Sequence, residues 1–178
     1  MRVKLAHFLD YSEGLMRQST RAGDNVFANR IEACREVVAE AHIRFCEQAL
    51  TLIRSAMPVR HAGGASRLMS LRPDISIVPD TEITEEARAA AQLLVDAVSI
   101  SSRLGEDDAV ADDLVAEARK QVESYLNDLV LEIRASEDER RDKAKEIFAA
   151  IVKVAEPLLN RDAVGLYRDR AAAAAVAV

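Results

Sequence analysis

Cys34, His42 and Cys46 lie within thirteen residues of one another and are the side-chain types that allow nucleophilic or metal chemistry. His42 and Cys46 are four residues apart, so on a helix they share a face. A thiol beside an imidazole is the arrangement that yields a thiolate nucleophile. The same groups, completed by ligands from a second helix, would hold zinc. Cys34, however, sits about three turns from Cys46 along a straight helix, too far to share one tetrahedral site. Neither CxxC nor HxxxH spacing occurs. The expectation is therefore a structural Cys34 inside an apolar stripe, with His42 and Cys46 on a flanking face. No catalytic residue, no metal and no cofactor is expected.

Other groupings also fail on spacing. Glu32, Glu36 and Glu40 repeat at i,i+4, with Arg35 and Arg44 placed to pair with them. A di-metal helical bundle needs Glu-x-x-His pairs. The residues three before His7, His42 and His61 are Lys4, Ala39 and Pro58, so that pattern is missing. The acid-rich stretch 106–113 lacks the glycine and spacing of a calcium loop. Gly63-Gly64-Ala65-Ser66-Arg67 is not followed by the Gly-Lys-Ser/Thr of a phosphate-binding loop. No G-x-S-x-G elbow appears.

Charge is divided along the chain. Residues 1–79 hold 11 basic and 8 acidic side chains, whereas 80–178 hold 13 basic and 22 acidic ones. No acid occurs between Glu47 and Asp74, while Arg54, Arg60, Arg67 and Arg72 do. These four arginines are candidates for a polyanion or an acidic partner, since guanidinium groups meet phosphate and carboxylate bidentately. The opposing expectation is that they pair with the acidic C-terminal helices of the same or another subunit. No aromatic stands among them for base stacking, and the net charge of -6 argues against a general DNA binder.

The elements that must position these groups are helical. The chain has 31 alanines against seven aromatic residues and no tryptophan. Alanine is the best intrinsic helix former and allows close helix approach. Three of the four prolines and Gly63-Gly64 fall between Pro58 and Pro79, marking the main break. The pattern predicts an all-α bundle of four to six mostly antiparallel helices with one long loop containing Gly and Pro.

An N-terminal helical hairpin occupies 1–57, with helices over about 3–19 and 25–57 and Asp24 as an N-cap. The second carries the heptad-like stripe Phe27, Ile31, Cys34, Val38, Ala41, Phe45, Gln48, Leu52. A basic loop follows over 58–80, with Ile75–Val78 as a short extended piece. A helical hairpin plus a fifth helix fills 81–160, turning at Gly105 and restarting at a capping box Ser136-x-x-Glu139. An Ala-rich tail covers 161–178. All of this reads as one domain.

No apolar run reaches the ~18 residues of a membrane span, and no secretory signal is expected at the N-terminus. The chain is expected in the cytoplasm or in an assembled particle. An aromatic-poor core and a wide apolar arc point to association. The expected function is a non-catalytic scaffold or adaptor subunit that self-associates or binds a protein partner through amphipathic faces. Leu93, Val98, Ile100, Val115, Leu126 and Val130 are the interface candidates. The alternative is a coat or packaging protein that holds nucleic-acid phosphates through the arginines of 54–72. A Cys46-dependent enzyme is a third reading.

Overall fold

A computed structural model of the chain describes residues 2–61, 71–104 and 108–176. Among these residues there are six helices and one two-stranded antiparallel sheet. The order is α1 (Arg2–Ala22), α2 (Asn25–Ser55), β1 (Val59–His61), β2 (Leu71–Pro73), α3 (Thr81–Leu104), α4 (Asp108–Ala135), α5 (Asp138–Ala155) and α6 (Arg161–Val176). The all-α bundle is therefore what this sequence builds. Helices α2, α3, α4 and α5 form the central bundle, α1 lies along α2, and α6 lies along α4.

Alanine sets the spacing of the bundle. Helix α3 buries Ala87, Ala90, Ala91, Leu94 and Ala97, at steps of three and four residues. That small-residue face packs along α2 and against α4 and α5, where short side chains let the backbones come close. The bulk comes from the neighbours: Ile53 of α2, Leu126, Leu129 and Ile133 of α4, and Ile147 and Ile151 of α5 are all fully buried. Burying each such side chain contributes about 1.5–3 kcal/mol. The buried hydroxyls of Ser12, Thr84 and Ser101 donate to the carbonyls of Leu9, Asp80 and Ala97, so none costs an unsatisfied donor.

The helix ends follow local rules. Gly23 takes a positive φ of 67°. Its N–H donates to the Thr20 carbonyl, and that of Asp24 donates to the Ser19 carbonyl. This is the paired closure in which glycine is favoured. Asp24 then caps α2 by accepting from the Phe27 N–H at 2.9 Å. Asp80 caps α3 through the Glu82 N–H, and Asn160 caps α6 through the Ala163 N–H at 2.7 Å. The tail is thus a capped helix rather than an appendage. It docks on the bundle through Val164, Tyr167, Ala171 and Ala174. Tyr167, Asn127 and Arg170 tie it to α4: Arg170 donates to Asn127 at 2.8 Å and lies 5.7 Å from the Tyr167 ring centre.

Three expectations are corrected here. The Ser136 capping box does not form. Ser136 still bonds back into α4, and Glu137 heads α5 without a side-chain cap. Glu139 pairs forward with Lys143 at 2.8 Å, while Arg141 donates to the Ser136 carbonyl. The following Asp138 takes a φ of 44°, a conformation that Asp tolerates better than most residues. Second, the loop 58–80 contains β1 and β2, with Val59 opposite Pro73, Arg60 opposite Arg72 and His61 opposite Leu71. The extended piece is therefore 71–73, not Ile75–Val78. Third, the buried face of α2 is Ile31, His42, Cys46, Ala49, Leu50 and Ile53, turned away from most of the expected heptad stripe. The turn expected at Gly105 lies outside the described residues.

Gly14 and Gly23 make opposite predictions. Nothing lies within 4 Å of a methyl group built on Gly14, inside α1. Gly14→Ala should stabilise the fold by about 0.5–1 kcal/mol, raising the melting temperature by about 1–4 °C in a circular-dichroism melt. Gly23→Ala, at a positive φ, should lower stability by about 1–2 kcal/mol.

Candidate interaction site

The paired strands stand on the side of α4, and their base is fixed by one carbonyl. Pro58 O accepts the Asp74 N–H at 2.9 Å and the Tyr125 hydroxyl at 2.8 Å. Burial, with Asp74 nearby, pushes the Tyr125 phenol well above its ordinary range, so it remains a donor. Pro73 lacks an N–H and sits at the end of β2, where no ladder bond is required of it. Asp74 closes a local turn by accepting from both the N–H and the hydroxyl of Ser76, at 3.0 and 2.6 Å. Those bonds hold its carboxyl below the usual carboxylate value. Ile75 is buried in the main core and anchors the return of the chain.

Between the strands and α4 lies a cleft of about 430 Å³. Met57, Val59, Leu71, Pro73 and Tyr125 make it apolar, and Arg54, Arg72, Gln121, Ser124 and Asp128 make its rim polar. Val59 and Leu71 are 50% and 55% exposed. Arg54 is oriented by donating to Gln121 Oε1 at 2.9 Å, and Gln121 in turn donates to Glu117.

The three described arginines of this group divide between two places. Arg54 and Arg72 line this cleft. Arg60 lines a separate hollow beside Asp74 and the start of α5. Its guanidinium approaches Glu132 at 3.9 Å, where Arg140 from α5 also pairs at 3.3 Å. Glu132 is only 11% exposed at its side chain, so this carboxylate joins the strands, α4 and α5. That is the expected pairing of a loop arginine with an acidic helix of the same chain. Arg67 lies outside the described residues.

The interface candidates divide as well. Val115, Leu126 and Val130 belong to this chain's own core, because α3, α5 and α6 cover that side of α4. They offer no surface to a partner. Leu93, Val98 and Ile100 on α3 are half-buried. Sequence reading missed Val59, Leu71, Gln121, Ser124 and Asp128. The available signal was the apolar-polar alternation of Val59-Arg60 and Leu71-Arg72 on either side of a glycine-containing segment, but three-residue strands give too few positions for a period.

The expected places of the thiols are reversed. Cys34 is exposed and Cys46 is buried, with His42 also buried. Among the described residues, no group of three or more His, Cys, Asp or Glu side chains is arranged to hold a metal ion. A second groove, of about 330 Å³ between α1 and α2, is lined by Lys4, Leu5, Phe8, Val38, Ala41 and His42. Helix α1 is held there by ion pairs from the end of α3. Arg103 reaches Asp10 at 2.6 Å and Glu13 at 3.1 Å, and both contacts favour its charged form. Arg35 bridges Ser12 and the Arg103 carbonyl.

No helix among the described residues is long and apolar enough to cross a membrane. Comparison with protein-family models, with curated proteins and with solved structures gives no match to any of them.

Two measurements follow from this geometry. Alkylation of the native protein at neutral pH should modify Cys34 quickly and Cys46 only after unfolding, as read by peptide mass spectrometry; rapid native labelling of Cys46 would revive the thiol-enzyme reading. In an NMR titration, Asp74 should ionise below the ordinary carboxylate range. Because its folded value is depressed, its contribution to stability is present above the unfolded value and is lost as pH falls through the folded one.

Proposed function

We propose that this chain is a non-catalytic helical scaffold subunit that works by self-association. The observation that carries this reading is the surface of the strand pair, where Val59 and Leu71 stand half-exposed between Arg54 and Arg72. A contiguous exposed apolar patch rimmed by polar side chains is the kind of surface that docks a partner. The fixed base of the strands supports the reading further. A surface held by Pro58, Tyr125 and Ile75 loses little conformational freedom on docking, so less binding energy goes into ordering it.

The packaging alternative draws on Arg54 and Arg72 sharing one cleft. Their rim also carries Asp128, and Arg60 is turned to Glu132. Neither feature suits a continuous track for phosphates, so scaffold association is the preferred reading.

Light-scattering mass, with and without nuclease treatment, tests both readings. The scaffold reading expects a mass above 19.5 kDa that nuclease leaves unchanged and an absorbance ratio typical of protein alone. A mass that collapses with nuclease, together with steep loss of binding as salt is added, would replace it with the packaging reading. A monomer at every concentration would defeat self-association.

A further inference from the structure

The cleft has its counterpart on the same helix. One face of α4 presents Val110, Asp113, Leu114 and Glu117 at steps of three and four residues, and Gln121 and Ser124 continue that face into the cleft. The first four residues line a shallow hollow of about 560 Å³, together with Lys120. This hollow combines exposed or half-exposed apolar side chains with two acids against one cation. The cleft combines Val59 and Leu71 with two cations against one acid. The two patches are thus opposite in charge, and each carries apolar side chains. From Asp113 to Ser124 the two adjoining patches extend over about 16.5 Å along the helix axis.

We infer that the α4 face is a two-fold self-complementary interface, in which Arg54 and Arg72 of each copy meet Asp113 and Glu117 of the other. The inference rests on the self-association proposed above and names the surface that performs it. A two-fold axis between the patches runs the two α4 helices antiparallel and makes each contact twice, as closed symmetry requires. Val59 and Leu71 then cover Val110 and Leu114 of the other copy. The hydrogen-bond relay from Arg54 through Gln121 to Glu117 spans the junction of the two patches within one copy. It orients the cation and the acid before the copies meet.

Two charge-reversed proteins test this surface. One carries Arg54→Glu and Arg72→Glu, so both patches are acidic; the other carries Asp113→Lys and Glu117→Lys, so both are basic. Sedimentation equilibrium at low salt should show dimeric wild type. Each variant alone should dissociate at least tenfold more readily, and their equimolar mixture should regain dimer mass as a heterodimer. Added salt should weaken the wild-type dimer.

A mixture no stronger than either variant, beside a wild type that still associates, would overturn this interface and leave self-association standing. A monomeric wild type would overturn both. Circular dichroism checks that each variant folds. Should a double variant fail to fold, the neutral substitutions Arg72→Gln and Asp113→Asn, both at exposed positions, replace it. Each should weaken the dimer at least threefold, and no change from either would reject the contact.

Discussion

The Pro58 carbonyl is the point on which the surface of this molecule depends. It takes one hydrogen bond from the backbone of Asp74 and one from the Tyr125 side chain, and so fixes both ends of the strand pair to α4. Pro58 is half-buried, and a carbonyl shielded from water without a donor costs about 1–3 kcal/mol. The chain therefore has a strong reason to hold 58 and 74 together. Once they are held, Val59, Leu71 and the arginines beside them have no route into the core, which is already filled by α2 to α5. Their exposure is a result of the anchoring.

The core makes that anchoring possible through economy of size. A face of four alanines on α3 lets three neighbouring helices come near it. The large side chains of α4 and α5 fill the remaining volume. Helix α4 consequently has two distinct uses. Its inner face is packed on three sides, while its outer face carries charged residues with Val110 and Leu131 exposed among them. The acidic balance of the second half of the sequence is largely this outer surface and those of its neighbours.

Much of the architecture was legible in the residues. Alanine content, the Gly-Asp turn at 23–24 and the Pro-rich break that follows α2 each have a local cause, and α2 ends at Ser55, two residues before the expected 57. What failed required tertiary knowledge. Helix α2 is apolar over more than half its circumference, so its heptad stripe and its buried face share Ile31 yet differ at Cys34, Ala41 and Leu52. Periodicity cannot choose between two apolar flanks when a second helix, α1, takes one of them. The Ser136 motif failed for a related reason: Glu139 found Lys143 one turn ahead, and Arg141 satisfied the carbonyl that preceded it. Of the candidate site, the arginines were visible as charge, but not which of them would be spent on Glu132.

The glycine at the end of α1 has a different kind of consequence. Leu9 and Ile31 are buried between α1 and its neighbours but stand apart from the cluster that joins α2 to α6. The first helix is thus secured by a small patch of packing and the salt links from Arg103. Opening at Gly23 would swing it away while the remaining five helices stay closed. Native-state amide exchange should then show two tiers of protection, with the N-terminal segment breathing on its own and the rest of the molecule yielding only to global unfolding.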